Sequence, residues 1–291
     1  LHSVRPPKSL FIIGGGTVGI EIAQMMAIFG TKVYIADVAA RLLPKEDEEV
    51  GVLMERLLSE DKGATVLTQT RVLSVVRQAL RKKITYSRGG TEHTVQVDEI
   101  LVATGRRPNV DLGLENASVT YTPKGIEVNA NLQTSARHIY AAGDVLGHDA
   151  HTHTALLESR IAAQNLLQKQ KVAPDYTATP RLTFTHPGIA SVGLSEDDCL
   201  KRDLSIKKSI APLNMVARSN TSDFRDGFVK VIADKNGVLI GATVVAPHAA
   251  EIIHELGLAI KYKLTATQVA ATPHAFLSWS EAIRVACGRL K

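Results

Sequence analysis

The sequence has no long apolar run and no stripe of one charge. No stretch approaches the ~20 consecutive apolar residues that a helix needs to cross a bilayer. Its 34 Lys and Arg residues are spread among 29 Asp and Glu residues, so the net charge of +5 does not gather into the basic stripe of a nucleic-acid binder. We therefore expect neither a membrane nor a nucleic acid as a partner.

Cysteine is also scarce, and the first residues carry no secretion signal. Cys199 and Cys287 are far apart and form neither a C-x-x-C motif nor a zinc-ligand pattern. From Leu1 onward there is no basic region followed by an apolar one, so no signal peptide is expected. Both features fit a protein of the reducing cytoplasm.

The first 36 residues have the pattern of a βαβ unit. An apolar segment at 8–13 ends in glycines, residues 18–29 have helical spacing before Gly30, and residues 32–36 resemble a second strand. Two parallel strands joined by a helix are typical of an α/β sheet. With 291 residues, the chain is long enough for two or three domains.

The rest of the chain alternates between strand and helix patterns. We predict helices at 46–59, 152–169, 249–262 and 278–289. Three alternating segments between residues 71 and 98 predict an antiparallel meander inserted before a buried strand at 100–104, and short strands are predicted at 125–128 and 139–143. After the polar segment 170–180, strands precede helices, which is an α+β pattern.

The strongest local motif is G-x-G-x-x-G, formed by Gly14, Gly16 and Gly19 between the first strand and helix. The first glycine permits a tight turn, the second lets a pyrophosphate approach the backbone, and the third lets the helix pack on the strand. The positive end of the helix dipole then faces the phosphates. The alternative is a purely structural glycine turn.

An acidic residue follows at the expected distance. Asp37 ends the second strand, 18 residues after Gly19, where a carboxylate can accept the ribose 2′-hydroxyl. A carboxylate there would repel a 2′-phosphate, so we predict NAD(H) rather than NADP(H). Arg41 could soften that preference, although a solvated surface arginine is the simpler interpretation.

Two small-residue turns follow in order, Ala103–Asn109 (ATGRRPN) and Ile139–Val145 (IYAAGDV). With the glycine motif they resemble the paired signatures of pyridine nucleotide-disulfide oxidoreductases, the family of dihydrolipoamide dehydrogenase, glutathione reductase and mercuric reductase. The resemblance continues through 185–187, 192–193, 227–246 and 280–282, and so covers essentially the whole chain.

This resemblance implies a Rossmann-like α/β NAD-binding domain at 1–111, a partial FAD-contacting segment at 112–177, and an α+β dimerisation domain at 178–291. It places Glu21 near the nicotinamide, where the family's acid pairs with a lysine that this chain does not contain. The remaining implied cofactor contacts are at the ends of strands or the starts of helices, namely Gly105, Gly143, Asp144 (flavin ribityl chain), His151 and Thr152.

Three departures from the family bear on catalysis. The N-terminal flavin-binding glycine motif and the C-x4-C redox disulfide do not occur in the sequence, which predicts that it corresponds to the last two thirds of a full subunit. The family's catalytic histidine, five residues before Glu281, is replaced by Phe276, and His274 matches the motif's first, non-catalytic histidine. The catalytic candidates are therefore Glu21, His274 and Glu281, although Glu281 could instead be a first-turn acid that favours the helix dipole.

Three histidines, His148, His151 and His153, could suggest a metal site. No carboxylate follows at ligand spacing, so we interpret them as polar loop residues and expect no metal.

These observations predict an enzyme that in full-length form passes hydride between NAD(H) and FAD and then to a small-molecule or small redox acceptor. As a fragment lacking the flavin half, the chain alone is expected to be inactive and colourless. Two alternatives stay open: a non-catalytic NAD-binding or dimerisation module, and a metal-ion or quinone reductase of the same family. We also predict a symmetric homodimer formed through residues from about 181 onward, in which a charge at Leu256 or Ile260 would weaken association.

Overall fold

The fold is described by a computed structural model that covers residues 5–61 and 63–290. The ends of the predicted first and third domains, residues 1–4 and 291, lie outside this range. The strands are β1 Ser9–Ile13, β2 Lys32–Ala36, β3 Thr65–Leu67, β4 Thr70–Gln78, β5 Arg81–Arg88, β6 Thr91–Val97, β7 Glu99–Val102, β8 Tyr121–Thr122, β9 Gly125–Ile126, β10 Pro180–Thr183, β11 Gly188–Gly193, β12 Ile206–Pro212, β13 Phe228–Asp234 and β14 Leu239–Ala246.

The α-helices are α1 Thr17–Ile28, α2 Glu48–Arg56, α3 Thr152–Leu167, α4 Glu196–Lys201, α5 Ala217–Thr221, α6 Ala249–Lys261, α7 Ala266–Ala271 and α8 Glu281–Gly288. The other helical turns are a π-helical turn at Leu57–Asp61, which continues α2, and 3₁₀ turns at Leu114–Ala117, Asp144–Leu146 and Leu213–Met215.

The predicted parallel sheet is confirmed, with strand order β3-β2-β1-β7. Strand β1 pairs in parallel with both β2 and β7, and α1 makes the crossover from β1 to β2. Gly30 ends α1 in a left-handed conformation at φ 82°, where Thr31 N–H donates to the Met26 carbonyl and Gly30 N–H to that of Ala27. This is a Schellman motif, and it turns the chain back toward β2.

The antiparallel meander is also confirmed, as a three-stranded sheet in the order β4-β5-β6 between β3 and β7. Ile84 and Val97 on its inner face are fully buried and share a small core with Phe11 of β1. The meander therefore packs on the parallel sheet rather than extending it.

The second half of the chain forms a five-stranded sheet in the order β10-β11-β14-β13-β12. Helices α6 and α8 pack against it, as the α+β pattern predicts. Three short helices, α4, α5 and α7, were not predicted. Two of them begin with capping boxes, in which the Ser195 hydroxyl accepts from Asp198 N–H and the Thr265 hydroxyl from Gln268 N–H.

Two compact units make up the chain. One consists of Leu1–Gly105 together with Leu182–Lys291, and the other of Arg106–Arg181. In the first unit, Ile189, Phe228 and Val245 of the antiparallel sheet belong to the same buried cluster as Leu10 and Ile12 of β1. The two sheets are thus joined through one core.

A buried ion cluster lies in the same unit. Lys230 on β13 is 1% exposed, and its ammonium group contacts the carboxylates of Asp47 at 3.1 Å, Glu49 at 2.8 Å and Glu196. The Asp47 carboxylate also accepts the backbone N–H of Glu196 at 2.9 Å. The cluster therefore ties the start of α2 to β13 and α4.

The unit Arg106–Arg181 has its own core, which includes Val119, Ile126 and Leu132. The predicted strand at 139–143 is wrong: only Tyr140 forms an isolated bridge, to Gln133. The backbone N–H of Ala141 donates to Leu132 and that of Thr134 to Ile139, so the loop at 129–134 takes the hydrogen bonds that a partner strand would have used. Within the described residues, no helix is both long and apolar enough to span a membrane.

Candidate dinucleotide site and flavin-contacting turn

The glycine turn after β1 is packed too tightly for side chains at two positions. Gly14 has φ 112°, and a Cβ there would lie 2.4 Å from the Ala103 carbonyl oxygen. A Cβ on Gly19 would lie 1.9 Å from the Gly14 carbonyl oxygen. Both glycines are thus required by the close approach of α1 to β1 and β7.

Gly16 differs from its neighbours. Its φ of −79° is open to any residue, and a Cβ there would meet nothing within 4 Å. It precedes α1 without a side-chain cap, so the first amides of this helix have no side-chain acceptor from the N-cap. Within the described residues, nothing requires a glycine at this position.

Asp37 at the end of β2 faces the same turn. One carboxylate oxygen accepts the N–H of Gly15 at 2.6 Å, and the other accepts the N–H of Ala39 at 2.7 Å. These contacts hold the side chain beside the glycine turn, and each oxygen keeps a second lone pair for another donor.

Arg41 is bound within its own loop. Its guanidinium donates to the carbonyl of Glu46 at 2.8 Å and to that of Pro44 at 3.4 Å, and lies 3.6 Å from the Asp197 carboxylate. These bonds hold the guanidinium within its own loop.

Glu21, one turn further along α1, bonds to the dimerisation half of the sequence. Its carboxylate accepts the backbone N–H of Phe184 at 2.7 Å. Gly105, three residues after β7, has φ 118°, and a Cβ there would meet nothing within 4 Å. This positive φ by itself explains the glycine, so its predicted cofactor contact stays a prediction.

The predicted flavin-contacting turn lies in the unit Arg106–Arg181. Gly143 has φ 82°, and a Cβ there would lie 3.1 Å from the Ala155 Cβ. Asp144 is exposed, and its carboxylate forms no bond or ion pair with a described residue. Thr152 begins α3 after His151, whose side chain does not cap the helix.

Sequence reasoning missed Glu158 on α3. It is fully buried, and its carboxylate accepts the Gly143 N–H at 2.6 Å and the Tyr176 hydroxyl at 2.9 Å, while His148 Nε2 lies 3.1 Å away. Burial, together with the hydrogen bond to Glu158, raises the pKa of Tyr176 well above its ordinary value. No sequence motif includes Glu158, so its spacing to other residues did not predict this role.

The three histidines of this region have partners of their own. The ring of His151 stacks on that of His153 at 5.3 Å between centroids, and His153 Nε2 lies 2.6 Å from the Pro180 carbonyl oxygen. Across the described ranges, no group of three or more potential metal ligands comes together.

The C-terminal candidates do not pair with each other. His274 is held by Glu255, whose carboxylate is 2.7 Å from Nε2, while Nδ1 is 2.8 Å from the Thr272 carbonyl. One carboxylate oxygen of Glu281 is buried without a hydrogen-bond partner among the described residues, and Phe276 is 74% exposed. Glu255 is the second residue that the sequence did not reveal.

Both cysteines are free and buried. Burial raises the pKa of the Cys199 thiol, and it raises that of Cys287 to about 12, with a smaller contribution from Glu255. Since the thiolate is the reactive form, neither residue is suited to redox chemistry in this fold.

The two positions at which a charge was predicted to weaken the dimer are buried within the single chain. Leu256 and Ile260 are 0% and 4% exposed within the single chain, because α6 packs them on the five-stranded sheet. Large side chains at the surface here are Leu258 of α6 and Tyr262, which directly follows α6; they are 59% and 67% exposed.

The fold and this site define a protein with a Rossmann-type dinucleotide domain and an α+β domain. Residues 1–162 match the family described as pyridine nucleotide-disulphide oxidoreductase, and residues 179–287 match the dimerisation domain of that family. The chain therefore belongs to the pyridine nucleotide-disulphide oxidoreductases, a family that uses FAD and NAD(H).

Curated relatives include two dihydrolipoyl dehydrogenases. That of Geobacillus stearothermophilus is 36% identical over 272 residues, which cover 92% of this chain and 57% of the relative. That of Thermus scotoductus is 34% identical over 289 residues, which cover 98% of this chain and 62% of the relative. The chain thus spans about three fifths of the length of these relatives.

Two solved structures have the same fold. LpdA from Mycobacterium tuberculosis is 28% identical with a TM-score of 0.88, over 98% of this chain and 62% of that one. The Cu(II) complex of RclA, an HOCl-induced flavoprotein disulfide reductase from Escherichia coli, is 26% identical with a TM-score of 0.91, over 100% of this chain and 66% of that one.

Proposed function

We propose that this chain binds NAD(H) at the N-terminus of α1 and serves a flavin-dependent oxidoreductase similar to dihydrolipoyl dehydrogenase. The observation that carries the proposal is Gly16. Its backbone conformation suits any residue and its surroundings are open, so the glycine serves a ligand that must reach the backbone. The uncapped amides of α1 would hold the pyrophosphate.

Asp37 and Arg41 support NAD(H) over NADP(H). The Asp37 carboxylate is fixed beside the glycine turn and can accept a ribose hydroxyl. Arg41 is committed to the carbonyls of Pro44 and Glu46. A 2′-phosphate would therefore meet the fixed negative charge of Asp37, while Arg41 is held in its own loop by two backbone carbonyls.

The second cofactor of the proposal is FAD, which Gly143, Asp144 and the start of α3 would contact. Asp144 is exposed and free to accept hydroxyl groups, and Glu158 fixes the turn from behind. When bound, the two cofactors would supply hydride transfer, while the chain orients them and sets the local charge. We place Glu21 at the nicotinamide end, as the family resemblance implies.

Two classes of final electron acceptor are candidates. The first is a disulfide such as lipoamide, and the second is a metal ion or a quinone. Phe276 favours the second class. The exposed phenyl ring cannot transfer protons, and the neighbouring His274 is bound to Glu255. A metal ion or a quinone needs no acid-base histidine at this position. Relatives named dihydrolipoyl dehydrogenase and the flavoprotein disulfide reductase RclA support the first candidate, and the Cu(II) bound in the RclA complex is the reason to test a metal ion as well.

We further propose that the chain forms a homodimer through its dimerisation domain, with Leu258 of α6 and Tyr262, the residue after α6, in the interface. Both side chains are large, apolar and mostly exposed, whereas the neighbouring Leu256 is already buried. A two-fold contact would cover the same patch on each subunit.

Calorimetry with NADH and NADPH on the 291-residue chain tests the nucleotide assignment. We expect NADH to bind more tightly, Asp37→Ala to shrink the difference, and Gly16→Ala to weaken both ligands without lowering the thermal midpoint. Equal or tighter binding of NADPH would overturn the preference, and unchanged NADH binding by Gly16→Ala would overturn the site. The purified chain should also be colourless, because its residues supply only part of a flavin site.

The acceptor is tested by NADH oxidation with the protein purified with its FAD bound, because the 291-residue chain alone is expected to be inactive. Lipoamide, a quinone and Cu(II) are each supplied as the acceptor in separate assays. Turnover with lipoamide alone would support the dithiol candidate, and turnover with the quinone or Cu(II) alone would support the other. No turnover with any acceptor would favour a non-catalytic binding module.

A further inference from the structure

Helix α1 carries a row of polar side chains that hydrogen-bond to a segment of the dimerisation half. Thr17, Glu21 and Gln24 are spaced by four and three residues, which places them on one face of the helix. They face residues 183–186, which run from the last residue of β10 toward β11. This row begins at the helix end where the dinucleotide phosphates are proposed to bind.

Gln24 makes two hydrogen bonds to one residue of this segment. Its side-chain oxygen accepts the His186 N–H at 2.7 Å, and its side-chain nitrogen donates to the His186 carbonyl at 2.8 Å. Gln24 is 5% exposed, so both bonds are shielded from water. This two-way amide pairing fixes the height and direction of the segment along α1, in the way that a neighbouring strand would.

Two residues before His186, the same segment bonds to Glu21. The Phe184 N–H donates to the Glu21 carboxylate at 2.7 Å. The Phe184 ring is mostly exposed, so its packing does not hold the segment in place. At the helix start, the hydroxyl of Thr183 lies 3.2 Å from that of Thr17. The direction of the Glu21 carboxylate thus depends on a backbone amide that Gln24 holds in place.

His186 is anchored on its other side. Its ring packs edge-on against Phe224 at 5.0 Å between centroids, and Phe224 packs against Trp279 at 6.1 Å. The segment is therefore fixed between α1 and an aromatic cluster of the dimerisation half. Loss of the Gln24 pairing would free the α1 side while leaving the aromatic side intact.

We propose that Gln24 is a positioning residue for Glu21: it holds the Phe184 amide on the Glu21 carboxylate and so fixes the charge that faces the nicotinamide half of a bound dinucleotide. This inference rests on the proposed NAD(H) site. It adds that the dimerisation half contributes to that site through a backbone amide. A fixed carboxylate there favours the positively charged oxidised ring.

The test compares NAD⁺ with ADP-ribose, which lacks the nicotinamide. Calorimetry on the 291-residue chain should show that Gln24→Met weakens NAD⁺ binding roughly three- to tenfold, the size expected for one misplaced hydrogen-bonded charge, and leaves ADP-ribose binding unchanged. Glu21→Gln should give the same selective loss. The double variant should lose no more than either single variant, because both changes act through one carboxylate.

The matched control is Gln164→Met, which changes a partly exposed glutamine of α3 whose side chain donates to Gln168 at 3.2 Å. It should leave both affinities unchanged. Hydrogen exchange of the Phe184 amide gives a readout that does not depend on a ligand, and it should be faster in Gln24→Met than in the unaltered chain. If Gln24→Met does not fold, Gln24→Glu replaces it, because a carboxylate can accept the His186 N–H but cannot donate to the carbonyl.

An equal loss of NAD⁺ and ADP-ribose binding would overturn the positioning role and leave the dinucleotide site standing. Additive losses in the double variant would do the same. If the unaltered chain bound neither ligand, the proposed NAD(H) site would be wrong and this inference with it.

Discussion

The backbone N–H of Gly143 donates to the carboxylate of Glu158 at 2.6 Å, across 15 positions of sequence. The bond joins the turn that carries Asp144 to the middle of α3. Because Glu158 is fully buried, it holds this turn in its positive-φ conformation without competition from water. A helix residue with no signature in the sequence thus shapes the turn that does have one.

Replacing Glu158 with glutamine should destabilise the unit Arg106–Arg181. The amide keeps the size of the side chain but removes its charge and one of its two acceptor oxygens, so the charge-assisted hydrogen bonds from Gly143 and Tyr176 are weakened, at a cost of about 1–3 kcal/mol. Urea unfolding followed by circular dichroism measures the change. The exposed Glu115→Gln is the matched control, and equal stability of the two variants would contradict the role of Glu158.

Replacing Lys230 with methionine should be more damaging. It would leave the buried carboxylate of Asp47 and those of Glu49 and Glu196 without their shared cation, and breaking a buried pair in this way costs about 3–5 kcal/mol. The control is Lys207→Met, at an exposed position of the same sheet. A free energy of unfolding unchanged in Lys230→Met would show that the cluster contributes no net stability.

Glu196 should make the fold sensitive to acid. Burial raises the pKa of its carboxyl, but the hydrogen bonds from Lys208 and Lys230 outweigh burial, so the pKa lies below its ordinary value of 4.5. A lowered pKa in the fold means that the stabilisation is present above about pH 4.5 and is lost as the pH falls through the folded value. The chain should therefore lose more stability from about pH 5 to about pH 3 than Glu196→Gln does. Parallel pH profiles of the two proteins would rule this out.

Gly19→Ala should lower stability, whereas Gly16→Ala should not. The new Cβ at position 19 would lie 1.9 Å from a backbone oxygen, and relieving such an overlap costs about 1–3 kcal/mol. At position 16 the same atom meets open space. Thermal unfolding of both variants without ligand measures the difference, and similar midpoints would mean that α1 is not as close to the glycine turn as described.

Leu258→Glu should dissociate the dimer, because it places a charge on the exposed face of α6, and so should lower the mass of the species seen in sedimentation. We expect about half the mass of the unaltered protein at low micromolar concentration, with a normal thermal midpoint. Leu256→Glu, two residues earlier, should instead unfold the chain, since that side chain is fully buried. A Leu258→Glu variant that sediments like the unaltered protein would remove this face from the dimer interface.

Most secondary structure could be predicted because its patterns are local. The βαβ unit, the meander and α6 follow from apolar spacing and glycine turns, which act over a few residues. The prediction of a strand at 139–143 was wrong because the backbone hydrogen bonds of that segment go to the loop at 129–134. Apolar residues alone do not identify the partner to which a segment is hydrogen-bonded. The short helices α4 and α7 are not predicted by apolar spacing, although Ser195 and Thr265 begin capping boxes.

The sequence by itself determined the dinucleotide motif, the acid at Asp37, the replacement at Phe276 and the family, because each depends on residue types at fixed spacing. Only the tertiary structure decided that Glu158 supports Gly143, that His274 pairs with Glu255, and that Gln24 pairs with His186. These partners are 15, 19 and 162 positions apart. Such pairs depend on how helices and strands pack, and this depends on the whole core rather than on any short pattern.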